Sequence, residues 1–156
     1  MPHGGPWVRD TLGFHDWAQF LANRGYVVLQ PNYRGSTGYG TTFVNMGSGE
    51  WGEKMQEDLT DGVNWMVREK IADPNNVCIV GGSYGGYAAL LGIAKDSDLY
   101  NCSIAFAPVT NLKTYLNTYN RTPQKESLEA RVIGNKSKKY LTTSSPDKQV
   151  KKINRR

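Results

Sequence analysis

The residues best suited to chemistry are Gly81-Gly82-Ser83-Tyr84-Gly85-Gly86, which stand between an apolar run, VCIVGG, and a helical one, SYGGYAALLGIAK. A serine in the pattern G-x-S-x-G at a strand-to-helix turn is the arrangement that exposes a hydroxyl nucleophile. The turn is so tight that positions two before and two after the serine must lack a Cβ, which Gly81 and Gly85 satisfy. Ser83 is then expected to be strained and to point to solvent at the top of a sheet. The N–H of Tyr84, at the start of the following helix, lies where an oxyanion would form, and the helix dipole favours that charge. Two rival readings fail on their own terms. A dinucleotide fingerprint needs glycine where Ser83 stands, and a phosphate loop needs Gly-Lys-Ser or Gly-Lys-Thr.

A second glycine-rich element, His3-Gly4-Gly5-Pro6, lies about 80 residues upstream, where the backbone N–H of a loop can complete an oxyanion hole. Alone it reads equally well as a proline turn. Paired with the serine turn at this spacing, it becomes a strong signal for an oxyanion loop.

The elements that must position these groups follow from hydrophobic periodicity. Residues 15–24 (HDWAQFLANR) predict a helix closed by Gly25, and YVVLQP at 26–31 predicts a buried strand. A glycine-rich loop, NYRGSTGYGTTF, follows. A second helix is expected from about Lys54 to Lys70, with Leu59, Val63, Met66 and Val67 on one face, ended by the turn ADPNN. VCIVGG at 77–82 and CSIAFAP at 102–108 predict strands joined by the helix after Ser83. Strand, helix, strand with short joins implies parallel pairing, and function is expected at the carboxyl ends of those strands.

Composition excludes several classes. The chain has 156 residues, 38% hydrophobic and 21% charged, which suits one domain with a real core rather than a disordered tail. No apolar run approaches a membrane span, and MPHGGPW has no signal-segment pattern. The net charge of +5 is concentrated at one end. Eight basic residues against Asp147 give residues 136–156 a net +7, which leaves residues 1–135 at about −2. That segment lacks interleaved aromatics and any nucleic-acid-reading motif, so no nucleic-acid partner is expected. Cys78 and Cys102 are expected to be buried free thiols in neighbouring strands. Two scattered histidines and two strand cysteines give no metal-ligand spacing, and no cofactor is implied.

Taken together, HGGP at 3–6, QFLANRGYVVLQPNYRGSTGYG at 19–40, GEWG at 49–52, EDLTDGVNWM at 57–66, GGSYGGYAAL at 81–90 and APVTNL at 107–112 resemble the catalytic α/β-hydrolase domain of the prolyl oligopeptidase family. The likeness is to its acylaminoacyl-peptidase and dipeptidyl-peptidase-like branches. It implies an α/β fold, a mostly parallel sheet with flanking helices, and a serine peptidase acting on short peptides. Ser83 would be the nucleophile, and the N–H groups of Tyr84 and Gly5 the oxyanion donors. It also implies that Val109, Leu112, Tyr115 and Tyr119 line an apolar substrate pocket. Their spacing fits one face of a helix, which a purely structural core role satisfies equally.

The sequence departs from the family's pattern in one respect that matters. The triad order in this fold is serine, then acid, then histidine, yet the only histidines, His3 and His15, precede Ser83. Asp96, Asp98 and Asp147 follow the serine, but the family's HG-x-x-D segment is missing. The expectation is that residues 1–156 are an incomplete catalytic domain lacking early and late strands, the acid and the base. Such a chain is inactive alone, with a partner or further segments supplying the remainder. An esterase on the same fold, or a non-catalytic remnant serving in interaction, are the alternatives. Compartment stays open, with the cytoplasm as the default.

Overall fold

A computed structural model of the chain describes residues 1–153. At its centre two parallel strands, β1 (Cys78–Gly82) and β2 (Cys102–Phe106), run in register from Cys78 opposite Cys102 to Gly82 opposite Phe106. A parallel pair needs a crossover, and helix α4 (Tyr84–Lys95) provides it. Ten of the twelve α4 residues are buried, so this helix, apolar all round, sits inside the molecule rather than on its surface.

Helices α1 (Asp16–Ala22), α2 (Thr41–Asn45) and α3 (Lys54–Arg68) precede the sheet; α5 (Leu112–Thr118), α6 (Lys125–Val132) and α7 (Lys139–Thr143) follow it. The His15 side chain caps α1 by accepting from the Ala18 N–H, and Gly25 turns the chain beyond it at φ +84°. On α3, Leu59 and Met66 are buried with Val63 packed beside them, as the periodicity predicts, whereas Val67 is only half-buried and Met55, a turn earlier, is buried as well. The turn after it is held by Asp73, whose carboxylate accepts from Asn75 and Asn76.

The core is strongly aromatic. Trp51 is buried and meets Tyr84 edge-on at 4.6 Å between centroids, with Tyr87 at 5.3 Å. The Tyr140 hydroxyl donates to the Trp51 carbonyl at 2.5 Å, and the Tyr87 hydroxyl to that of Ser144 at 2.9 Å. The basic C-terminal stretch is thus folded onto the body through Tyr140, and Lys136 pairs with Glu50 at 3.5 Å.

Two expectations are corrected. Residues 26–31 run without joining a ladder to any described residue, and Tyr26 and Val27 are more than half exposed. Hydrophobicity signals a preference for burial, whereas a strand also needs a partner's backbone. Here an apolar cleft of about 190 Å³, lined by Leu29, Val63, Ile79 and Ile104, separates this segment from β1. The cysteines do lie in neighbouring strands, but they are not buried free thiols. Register places them opposite one another at 4.6 Å between Cα atoms, their sulfurs are bonded, and Cys78 is exposed. Among the described residues no helix is long and apolar enough to cross a membrane, and no three His, Cys, Asp or Glu side chains group as metal ligands.

Candidate active site

The turn between β1 and α4 has the geometry its composition demands. Ser83 adopts φ +55° and ψ −117°, a conformation that costs a non-glycine residue about 1–3 kcal/mol. The surroundings impose it. The Ser83 N–H is held by the Phe106 carbonyl at 2.9 Å, and the Ser83 carbonyl accepts from the Tyr87 N–H at 2.9 Å. A Cβ on Gly81 would fall inside the Gly85 peptide, and one on Gly85 would strike the Pro2 carbonyl oxygen. The Ser83 side chain is exposed and caps no helical N–H. As the first residue of α4, Tyr84 has no carbonyl one turn back within the helix to accept its own N–H. Its side chain turns the other way, into the core, where burial holds the phenol protonated well above its ordinary range.

The His3-Gly4-Gly5-Pro6 loop lies directly against this turn. A Cβ on Gly4 would be 3.3 Å from the Gly82 carbonyl oxygen and 3.5 Å from the Ser83 Cβ, and Gly5 is exposed at φ +110°. Beside the loop a cleft of about 290 Å³ opens at the carboxyl ends of β1 and β2, between Gly4, Gly81, Gly82, His15, Trp17 and Phe106. Trp17 and Phe106 meet edge-on at 6.3 Å and give it an apolar wall.

Both histidines are held by contacts of their own. His3 is buried, and burial lowers its pKa, so the ring is neutral near pH 7. Its Nδ1 lies 2.7 Å from the Gly4 carbonyl, and its Nε2 lies 2.9 Å from the Ser36 Oγ. Both nitrogens are spent on the loop. His15 caps α1, its Nδ1 accepting the Ala18 N–H at 3.4 Å. Of the carboxylates that follow Ser83, Asp96 and Asp147 are engaged elsewhere. Asp96 closes the far end of α4, about 20 Å from Ser83 by helical rise, and accepts from Thr60. Asp147 is engaged by Asn111 at 2.9 Å and Lys148 at 3.0 Å.

The expected substrate-pocket residues are divided. Leu112 is fully buried, its N–H donated to the Ser145 Oγ, and would meet a ligand only after movement. Val109, Tyr115 and Tyr119 are half-buried against the core. Tyr115 stacks on Trp51 at 5.7 Å and meets Tyr119 at 5.5 Å, and burial pushes the Tyr115 hydroxyl up to about 12. α5 does present Tyr115 on the face of Leu112, with Tyr119 as its C-terminal cap. Sequence reasoning did not single out Tyr33 and Ser36, which hold His3. Their signal was the NYRGS segment, legible only as part of a glycine-rich loop.

Comparison with known proteins is consistent in direction. A family model described as the prolyl oligopeptidase family matches residues 13–155. Dipeptidyl aminopeptidase BIII of Pseudoxanthomonas mexicana is 48% identical over 118 residues, covering 76% of this chain and 17% of that protein. The acylamino-acid-releasing enzyme of Mus musculus is 32% identical over 118 residues, 76% of this chain and 16% of its own length. Among solved structures, the crystal structure of puromycin hydrolase superposes with a TM-score of 0.88 at 26% identity, covering 98% of this chain and 23% of that one. An acylaminoacyl peptidase in complex with Z-Gly-Gly-Phe-chloromethyl ketone gives 0.84 at 26% identity, covering 99% and 25%. The chain therefore spans between about a sixth and a quarter of the length of these relatives.

Proposed function

The chain belongs to the prolyl oligopeptidase family, with a serine-peptidase lineage and a partial α/β-hydrolase fold; on that premise we propose that Ser83 is the nucleophile with which the complete enzyme opens short peptides or acyl-aminoacyl bonds. The Ser83 Oγ adds to the scissile carbonyl carbon as its proton passes to a general base. The N–H groups of Tyr84 and Gly5 hold the oxyanion that results. Collapse of the tetrahedral species breaks the C–N bond, the amine leaves with the proton, and water then hydrolyses the ester on Ser83. The observation that carries this reading is the strained, exposed Ser83 with the Gly4–Gly5 loop packed against it.

His3 and His15 are otherwise engaged, so the general base and its carboxylate partner are assigned to polypeptide outside residues 1–156, which form the middle of the catalytic domain. Without them a serine site of this kind keeps a residual acceleration of about 10³–10⁴ over water. Val109, Tyr115 and Tyr119 are the side chains proposed to meet the acyl-side residue of the substrate, with Leu112 as the wall behind them.

The test is active-site labelling. A fluorophosphonate is applied to the whole gene product, whatever its length, and the modified residue is located by mass spectrometry. Stoichiometric labelling of Ser83, lost in Ser83→Ala, supports the assignment; labelling that survives the substitution, or none at all, ends it and leaves a non-catalytic remnant. Esterase chemistry uses the same elbow, and comparison of matched ester and amide substrates separates the two.

A further inference from the structure

From the contacts around the glycine-rich loop at residues 33–36 we infer that Ser36 and the Arg34–Asp58 pair are positioning residues that fix the His3–Gly5 loop over Ser83. The inference rests on the reading of Gly5 as an oxyanion donor. Asp58, on α3, accepts from the Arg34 backbone N–H at 2.8 Å, from its Nε at 2.8 Å and from its Nη2 at 2.5 Å. A forked pair with a third, backbone donor fixes direction as well as distance, unlike a single exposed ion pair. This anchors the turn to a helix. On the other side of the same turn, the Tyr33 hydroxyl donates to the His3 carbonyl at 2.7 Å, and its ring stacks on the imidazole at 4.4 Å. The Ser36 Oγ reaches His3 Nε2 at 2.9 Å.

Stacking alone would let the imidazole rotate in its plane. Ser36 at Nε2 and the Gly4 carbonyl at Nδ1 stop that rotation, and with it any shift of Gly4 away from Ser83. Ser36 is wholly buried and Tyr33 nearly so, which leaves no water to substitute for a lost partner. Ser36 is held in turn: its hydroxyl donates to the Tyr33 carbonyl at 2.6 Å, and the same carbonyl takes the Ser36 N–H at 3.0 Å. The device runs from α3 to the catalytic turn without touching a substrate.

The test compares Ser36→Ala and Asp58→Asn with the unmodified whole gene product, with Asp58→Glu as the conservative variant. Hydrogen exchange is read on a peptide covering residues 3–8, with one covering α4 as the internal control of folding. Both variants are expected to accelerate exchange in residues 3–8 about tenfold while α4 exchanges at its original rate, and Asp58→Glu restores part of the protection. The rate of Ser83 phosphonylation is expected to fall about tenfold in step, with KM for a peptide substrate unchanged. Unaltered exchange in residues 3–8 in both variants overturns the inference. Faster exchange with an undiminished phosphonylation rate upholds the positioning and overturns the donor role given to Gly5. Should Ser36→Ala fail to fold, Asp58→Asn, at a pair whose side chains are 21% and 23% exposed, decides alone.

Discussion

Replacing Gly85 with alanine sets two physical effects against each other. Gly85 is the second residue of α4, and alanine in a helix is worth about 1 kcal/mol over glycine, so propensity alone predicts a more stable protein. Packing predicts the opposite. The added methyl would strike the Pro2 carbonyl oxygen and lie 3.1 Å from both the Pro2 carbonyl carbon and the His3 carbonyl oxygen. These are backbone atoms, which cannot swing aside as a side-chain tip would, and overpacking costs about 1–3 kcal/mol or more. Taking about 3 for a backbone obstacle, the net expectation is a loss of about 2 kcal/mol. Gly62→Ala in α3 is the matched control. Its methyl would meet only the Leu29 Cδ2 at 3.0 Å, beside the open apolar cleft, so the helical gain survives and the change is neutral or stabilising by up to about 1 kcal/mol. Urea unfolding followed by tryptophan fluorescence measures both, since Trp51 sits in the core next to Tyr84. A Gly85→Ala protein as stable as the parent would mean that residues 2–4 do not rest on the serine turn, and the oxyanion geometry would go with them.

Ser83→Gly relieves the positive φ and is expected to stabilise the fold by about 1–3 kcal/mol while abolishing phosphonate labelling; Ser83→Ala abolishes labelling without that gain, and thermal melts distinguish them. His3 has a folded pKa lowered by burial, so the unfolded chain takes up its proton first as pH falls. Stability should therefore rise as pH climbs through the interval from the depressed folded value to about 6.5 and level off above it, a slope that His3→Gln removes in unfolding measured from pH 4.5 to 8. Cys78 and Cys102 should resist alkylation until a reductant is added and then take two adducts together, as intact mass reports; alkylation without reductant contradicts the bridge.

How much was readable in advance depended on whether the information was local. The serine turn, α4 and the strands on either side were legible because a continuous stretch from 77 to 106 specifies glycine positions, apolar runs and connection lengths. The α1 boundaries were set by a side-chain cap and a left-handed glycine, both of which act within a few residues. Residues 26–31 were misjudged because apolar, β-branched composition indicates what a segment prefers to touch and not whether a backbone partner is present. The cysteine bridge depends on register between two strands 24 residues apart, which no composition encodes. The fork at residues 33–36 was invisible for a similar reason: Arg34, Ser36 and Asp58 are ordinary surface residue types until the fold brings α3 and the His3 loop to opposite sides of one turn.

The two tyrosine hydroxyl bonds of the core also set a schedule for biosynthesis. Tyr140 reaches back 89 residues to the Trp51 carbonyl, and Tyr87 waits 57 residues for that of Ser144. A chain emerging from the ribosome therefore completes β1, α4 and β2 well before the groups that cover Trp51 exist. Throughout that interval the aromatic cluster faces water with two hydroxyl and carbonyl partners still unmade. Stalled or prematurely terminated products ending ahead of Tyr140 are consequently the species a chaperone would be called on to shield, even though their serine turn is already encoded in full.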